Sequence, residues 1–569
     1  MYSTRIQRGG LILERILDNN YYDLFVNNTL IPRYQKESEI TYLNERLSLE
    51  HVPAESLNPC NLGLYSYNSF SSLYTLSSIV SLDKSGITEV QNDPNLSLFG
   101  KGVLIGIIDT GIDYRHQAFK NSDGTTRIQS IWDQTDQNGV RPENFTYGSE
   151  YGRDQINKAL QSENPLSVVP SVDTNGHGTA ISSIVAGTPT NDQSFRGVVP
   201  EADLVVVKLK NAKKNLKDLF FVPDELLCYQ ESDIMLAARY LATVAQKLNK
   251  PMVICIALGT SQGGHDGNGP LSSYLDYLAQ LPGIGVAVSA GNEGNNHRHY
   301  FDATLPDVFY NDFILNAGND DSTFFVEIWA ASPALLSISI TSPTQEITKL
   351  IPPSLNGCIN YNFNRSQTNV WINNIIYEQN TGDQLILLRF ENTFPGTWHL
   401  HLENNNHESF SFHAWLPSGN LITDGTYFMN SDPNVTITSP GNAESPMTVT
   451  AYNQFNNSIL VESSRGYTRI GAIKPDIAAP GYQLPCAVPG NKYGTATGTG
   501  AAAAHAAGIM AMVFEWGIVK ENYVQMTGSI VNRQLIWHAA RDNANTYPNN
   551  IWGYGQVEIY NFFETIKGV

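Results

Sequence analysis

Four stretches of the chain are apolar almost without interruption. Val103-Leu104-Ile105-Gly106-Ile107-Ile108 runs straight into Asp109-Thr110-Gly111, and Ala202–Lys208, Met252–Leu258 and Gly283–Ser289 have the same character. Successive side chains on a strand point to opposite faces, so a run with no polar positions predicts a strand covered on both faces, as in a parallel sheet. Between these runs, Glu231–Leu248 carries Ile234, Leu236, Ala237, Tyr240, Leu241, Val244 and Leu248 at helical spacing. Strands alternating with helices predict an α/β fold with a doubly wound parallel sheet.

From about residue 297 to 435 the period changes. Phe324–Trp329, Leu335–Ile340, Thr397–Leu402 and Ser409–Leu416 alternate, and Asn/Asp clusters such as 316–321 punctuate them. About eight short strands are predicted, forming a β-sandwich of jelly-roll type inserted into the α/β domain. The α/β pattern returns at Met447–Ala451, with a helix at about 500–516 and a last one at about 534–541. Ahead of Gly102, residues 1–95 read as a small separate unit. Leu11, Leu13, Ile16 and Leu17 suggest a helix there, Tyr65–Ser78 is rich in aromatic and small residues, and Gly86–Gln91 and Asn95–Leu98 read as a connector. The predicted units are therefore 1–95, 96–296, 297–435 and 436–569.

Composition narrows the class. Of 569 residues 41% are hydrophobic, enough for large cores, which excludes global disorder. Thirty-five Lys+Arg against 54 Asp+Glu give a net charge of −19. No basic stripe accompanies it, so no nucleic-acid partner is expected. The basic cluster Lys208–Lys217 reads as a solvated loop. No run of about 18 apolar residues predicts a membrane span. Glu14 and Arg15 interrupt the apolar residues near the N-terminus, so no signal peptide is expected and a cytoplasmic setting follows. Cys60, Cys228, Cys255, Cys358 and Cys486 are odd in number, widely spaced and without CxxC, which argues against a disulfide scaffold and a zinc site. Cys255, in an apolar run, reads as a buried thiol.

Three segments carry chemistry. Ile107-Ile108-Asp109-Thr110-Gly111 puts a carboxylate at the end of a buried strand. Asp173-Thr174-Asn175-Gly176-His177-Gly178-Thr179-Ala180 opens a helix. Gly498-Thr499-Gly500-Ala501-Ala502-Ala503-Ala504-His505-Ala506-Ala507-Gly508 opens another. The order and flanks resemble the subtilisin-like serine proteases, whose triad runs Asp, His, Ser. The resemblance covers about 102–292 and 439–563. It implies that Asp109 and His177 are the triad's aspartate and histidine. Asn292, in Ser289-Ala290-Gly291-Asn292, matches the oxyanion-hole asparagine, and Lys474–Gly481 matches the segment leading to the nucleophile. Leu258-Gly259-Thr260 resembles the substrate-binding strand, against which a peptide would add as a further strand. In that geometry the aspartate orients the imidazole, the imidazole takes the serine proton, and the asparagine amide stabilises the oxyanion.

The departure is at the nucleophile. Gly500 stands where the family has serine, and Ala504 where it has proline. Neighbouring side chains on a helix diverge by about 100°, so the Thr499 hydroxyl is expected to miss His177. Thr495, Thr497 and Ser464 are remote substitutes, and His505 reads as structural. In subtilisin itself, loss of the serine costs about 2 × 10⁶ in kcat.

The inserted jelly roll, a retained N-terminal prodomain (1–95), and segments such as Ile131-Trp132-Asp133-Gln134-Thr135 and Trp552-Gly553-Tyr554-Gly555 are similar to the clostridial germination-specific (Csp) subtilases. That resemblance implies a spore-associated or cytoplasmic protein that processes or, having lost triad residues, relays germination signals. With Gly500 the prodomain is expected to remain uncut, its junction near Gln91 filling the substrate groove. Two function classes follow: a pseudoprotease that binds or regulates a partner, or a serine endopeptidase whose nucleophile has been replaced by glycine. A purely structural spore protein is a third. No cofactor is implied. Calcium is possible in this family, with Asp320, Asp321 and Asp432 as acidic loop residues and no site assigned.

Overall fold

The computed structural model describes residues 15–29, 40–57, 65–76, 83–192, 194–355 and 357–567. A nine-stranded sheet forms its centre. The order is Ser458–Ile459, Met447–Asn453, Ile284–Ser289, Met252–Ile256, Leu104–Asp109, Asp203–Lys208, Ile128–Asp133 and Ser149–Gly152, and Ile477–Pro480 also pairs with Met447–Asn453. The pairings through the middle are parallel, and the outer pairings, to Ser458–Ile459 and Ser149–Gly152, are antiparallel. The four apolar runs are its central strands, and every residue of Leu104–Asp109, Met252–Ile256 and Ile284–Ser289 is buried.

Helices cover both faces. Glu231–Leu248 and Pro270–Ala279 close one side, while His177–Ala186 and Thr499–Phe514 close the other. Every residue of Thr499–Phe514 is buried, which is why it is apolar all round. With its continuation to Val519 it is long and apolar enough to cross a membrane, but 83% of that stretch is packed inside the protein. Its small residues allow close approach: a Cβ on Gly508 would lie 2.5 Å from Val198 Cβ.

Residues 299–428 form two antiparallel sheets sharing one core. The larger has the order His299–Ala303, Ser411–Trp415, Thr323–Ala330, Gln384–Glu391, Thr368–Ile375 and Cys358–Phe363. The smaller is Leu336–Thr341, Gly396–Asn404, Tyr310–Ala317 and Tyr427–Phe428. Leu315, Val326, Ile328, Ile338, Leu388, Trp398 and Leu400 pack between them. The alternating pattern thus resolves into ten strands rather than eight. The N-terminal region adds a three-stranded antiparallel sheet of Tyr21–Asn27, Leu47–Pro53 and Ile40–Tyr42.

Several expectations are corrected. The connector at 86–91 is instead the helix Ile87–Asn92, whose Ile87 and Val90 bury against Phe562 and Phe563. The last helices are Gly528–Trp537 and Ile559–Lys567 rather than 534–541. The helix at 11–17 falls mostly outside the described residues, and residues 15–17 form a turn. The cluster Lys208–Lys217 is no solvated loop: Lys210, Lys213 and Lys217 are buried. Each is paired or solvated by protein, with Lys210 on Asp233 (2.6 Å), Lys213 on Asp23 (2.8 Å), and Lys217 on the Asp224 and Leu226 carbonyls. Cys228, Cys255 and Cys486 are buried free thiols. Cys358 is disulfide-bonded, which the odd count and wide spacing do not anticipate.

Candidate active site

Asp109 is the last residue of its strand, at the carboxyl edge where open α/β sheets place their sites, and it is fully buried. Its Oδ1 accepts from the Thr110 N–H (2.7 Å). His177 is the first residue of the helix His177–Ala186, and its Nδ1 lies 2.8 and 2.9 Å from the two Asp109 oxygens. A carboxylate only accepts, so Nδ1 carries the proton, and Nε2 is the basic nitrogen of the neutral ring.

Local chemistry fixes this helix start. Asp173 accepts from the Gly176 N–H, the Thr110 hydroxyl, and both the N–H and the hydroxyl of Thr179, at 2.7–2.8 Å. The Thr110 hydroxyl in turn accepts from the Gly178 N–H at 2.9 Å. A Cβ on Gly178 would lie 2.2 Å from the Gly111 carbonyl, so only glycine lets the helix meet the Asp109 strand this closely. Sequence reading passed over Asp173. It lies four residues ahead of the helix start, outside the cap position held by Gly176, so the helix-start pattern does not single it out.

Asn292 follows Gly291, whose φ of +101° favours glycine. A Cβ there would also lie 2.5 Å from Thr438 Oγ1. Asn292 Oδ1 accepts from the Thr499 N–H (3.1 Å) and the Thr499 hydroxyl (2.9 Å), so its NH2 group points away from that helix. Gly500 is the second residue of Thr499–Phe514 and is buried. Three of the four other hydroxyls near this segment have partners elsewhere. Thr499 holds Asn292, Ser464 accepts from the Glu293 N–H (2.9 Å), Thr497 accepts from the Gln483 N–H (3.1 Å), and Thr495 lies in the hairpin of Leu484–Val488 and Lys492–Ala496. His505 is buried against Ser85 Oγ (2.9 Å), and burial pushes its pKa down to about 3, so it is neutral.

Leu258–Gly259 is an edge strand with a partner already in place. Leu73–Leu76 runs antiparallel to it, with Leu76 opposite Leu258 and Thr75 opposite Gly259. On its other side Leu73–Leu76 pairs with Tyr229–Gln230, completing a three-stranded sheet. Leu73 N–H also donates to Gln262 Oε1 (2.8 Å) and Ser72 N–H to Glu231 Oε2 (3.2 Å). Thr260 does not extend this pairing; it exchanges two backbone hydrogen bonds with Ser439. The region of the expected junction does not reach this strand: Gln91 is buried in the helix Ile87–Asn92 and donates to the Val198 carbonyl (2.8 Å), and the segment paired with Leu258–Gly259 lies some fifteen residues earlier.

The N-terminal region is held by buried polar contacts. Asp23 accepts from Lys213 Nζ (2.8 Å), His51 Nδ1 (2.7 Å) and Gln230 Nε2 (2.9 Å). Burial pushes its pKa up, but Lys213 and His51 more than offset that and hold it near 2. Glu327, from the larger 299–428 sheet, accepts from the Tyr67 hydroxyl, Gly263 N–H (3.0 Å) and Trp329 Nε1 (3.2 Å), joining three parts of the chain. Asp321 accepts from Thr423 and Thr426, and Asp432 from Asn434. Among the described residues no three His, Cys, Asp or Glu side chains gather as a metal site.

A buried strand-end carboxylate bonded to an imidazole at a helix start, on a parallel α/β sheet, is the arrangement in which a serine peptidase holds its carboxylate and imidazole; Asn292 follows the strand Ile284–Ser289, two strands away. The chain belongs to the subtilase family, whose model matches residues 100–321 and 395–555. The C5a peptidase of Streptococcus pyogenes is 24% identical over 442 residues, covering 73% of this chain and 35% of that protein; the chain spans about a third of the length of such relatives. The structure of the Clostridium perfringens CspB protease is similar at a TM-score of 0.75 and 29% identity, covering 84% of this chain and 96% of that one.

Proposed function

We propose that this chain is a subtilase without a nucleophile: a pseudoprotease whose groove binds an extended peptide without cutting it, and which regulates a partner protease or a spore-germination partner. One observation carries the reading. It is Gly500, which the resemblance of Gly498–Gly508 to the family's nucleophile segment sets where serine stands, directly after Thr499, whose N–H and hydroxyl both donate to Asn292. On this reading Asp109 and His177 are the remaining triad members, Asn292 is the oxyanion donor, and Leu258–Gly259 is the peptide-binding strand.

The domain reading goes with it. Residues 1–95 are a prodomain that stays attached, 96–296 and 436–569 are the two parts of the subtilase domain, and 297–435 is an inserted jelly roll. The interval between the two family-model matches, 322–394, supports the insertion. The likeness to the CspB protease supports a germination setting, in the cytoplasm or the spore. The ligands are a peptide or protein segment and the chain's own prodomain; nucleic acid, membrane and cofactor have no part.

Intact mass of the purified chain and of Gly500→Ser tests this. The wild type is expected whole, and unreactive toward a serine-directed fluorophosphonate. Peptide turnover or labelling by the wild type overturns the proposal. A second reading rests on the completeness of the site around Gly500: an endopeptidase whose serine was replaced by glycine. Under it Gly500→Ser cuts itself between Leu76, the last described residue in the groove, and Asp83, and the source gene encodes serine at 500.

A further inference from the structure

The groove strand Leu73–Leu76 is covered on both faces. Side chains alternate along a strand, so Tyr74 and Thr75 point to opposite sides. Tyr74 is 1% exposed and lies in the apolar cluster of the parallel sheet with Leu258 and Tyr229. Thr75 faces the other way and is also buried, at 5% exposed. What covers it belongs to the sandwich: a single turn, Gly419–Leu421, that follows the strand Ser411–Trp415. A Cβ on Gly419 would lie 2.8 Å from Thr75 Cβ, so the turn's backbone rests directly on the threonine and leaves no space between them. Fixed contacts make this turn a strap. Gly419 N–H donates to Glu293 Oε1 (2.9 Å), and Arg298 donates to the Gly419 carbonyl (2.7 Å) and the Ile422 carbonyl (3.1 Å). Arg298 and Glu293 are both buried and pair at 3.2 Å. Ser261 N–H donates to Ser418 Oγ (3.2 Å) at the other end of the strap. Glu293 directly follows Asn292, so the strap is tied to the loop that carries this asparagine.

We propose that the strap Ser418–Ile422 is a specificity element: it roofs the groove and restricts the peptide residue opposite Gly259 to one no larger than threonine or valine. This rests on Leu258–Gly259 being the peptide-binding strand of the function proposed above. The internal strand shows the pattern a ligand must reproduce. A large apolar residue fills the pocket below, as Tyr74 does, and the next residue is small enough to pass under Gly419, as Thr75 is. The Thr75 hydroxyl donates to the Gly259 carbonyl (3.4 Å), so the space beside it is closed as well. A larger side chain there must lift the strap and break its bonds to Arg298 and Glu293. The ligand class is therefore an extended peptide with an aromatic or large aliphatic residue followed by a small one.

Amide hydrogen exchange of Leu73–Leu76 in the full chain tests the contact, run as a double-mutant cycle. Gly419→Ala puts a methyl against Thr75 and is expected to speed exchange of the strand at least about tenfold. In a chain carrying Thr75→Gly, where that methyl has room, Gly419→Ala is expected to change exchange by less than about threefold. The φ of +61° at Gly419 makes alanine unfavourable in both backgrounds, and the cycle cancels that cost. Equal effects in the two backgrounds overturn the proposal. Selectivity is read by fluorescence anisotropy of labelled Ser-Ser-Leu-Tyr-Thr-Leu-Ser-Ser, the chain's own 71–78 sequence, on a full chain whose internal strand is weakened by Tyr74→Gly. This peptide is expected to bind at least about tenfold more tightly than one with phenylalanine in place of the threonine. Equal affinity for the two also overturns the proposal. A coupled cycle with no binding of either peptide counts against the peptide-binding reading of the groove rather than against the strap's hold on the strand.

Discussion

Lys213→Met removes the single lysine that Asp23 accepts from and leaves a carboxylate that is almost completely buried. In the wild type Asp23 is held near pKa 2, against an ordinary 3.8. At about 1.4 kcal/mol per pK unit this is worth about 2 kcal/mol. The group is depressed on folding, so its contribution is present above pH 3.8 and lost as pH falls toward 2. Removing one partner of a buried pair costs more than that gain, about 3–5 kcal/mol, because the other charge stays behind. His51 and Gln230 still donate to Asp23, which puts the expectation near the lower figure, about 3 kcal/mol. Without the lysine, burial raises the Asp23 pKa above 3.8, so this site adds to the variant a loss of stability with rising pH that it does not add to the wild type, and the gap between the two widens. Urea unfolding of both chains from pH 7 down to about 4 measures the gap. It is expected at about 3 kcal/mol at pH 7 and smaller at pH 4. A gap below about 1 kcal/mol at pH 7, or one independent of pH, refutes the reasoning.

Glu231 is buried without a cation, and burial pushes its pKa up to about 7 from 4.5. A raised carboxyl favours the fold below 4.5 and loses that contribution as pH rises through 7, so wild-type stability is expected to fall by about 3 kcal/mol over that window. Glu231→Gln is expected to flatten the dependence, read as urea midpoint against pH. Gly178→Ala is expected to lower stability by about 3 kcal/mol, the upper end for overpacking, since its Cβ meets a backbone carbonyl that cannot swing aside; thermal unfolding measures it. Trp415 stacks on His265 (4.0 Å between rings, 7° between planes) and donates to the Val435 carbonyl. Trp415→Ala is expected to cost about 3–5 kcal/mol and to open the seam between sandwich and sheet to limited proteolysis.

The parallel sheet was legible because burial on both faces erases the polar positions: Leu104–Asp109 and Ile284–Ser289 lie almost where their apolar runs do. The helix Glu231–Leu248 matches to the residue because one of its faces meets solvent and leaves a period. The His177 motif was legible for a different reason: Gly178 has no room for a side chain, so its identity is forced by contact. The groove strand was not legible. Leu73-Tyr74-Thr75-Leu76 is four residues long and takes its conformation from Leu258–Gly259 and Tyr229–Gln230, both far off in sequence. The buried lysines misled for a similar reason: Lys213 looks like a surface residue until Asp23, 190 residues away, is placed beside it. Nothing local marks Ile87–Asn92 as helical either, because its apolar face is completed by Phe562 and Phe563.

With Leu258–Gly259 as the peptide-binding strand of the function proposed above, Leu73–Leu76 also sets a threshold for any outside ligand. It belongs to the same chain as the groove it fills, so it competes at an effective concentration on the order of millimolar rather than at a bulk one. It also arrives with its neighbours already anchored at Asp23, Tyr67 and Ser72. A peptide offered in trans must displace a tethered rival, and its apparent affinity falls by the ratio of that local concentration to the strand's own intrinsic dissociation constant. Screening free peptides against the whole chain will therefore under-report what the groove can hold. The informative ligand is one measured against a chain whose Leu73–Leu76 has been weakened, with the shift in affinity giving the strength of the internal strand.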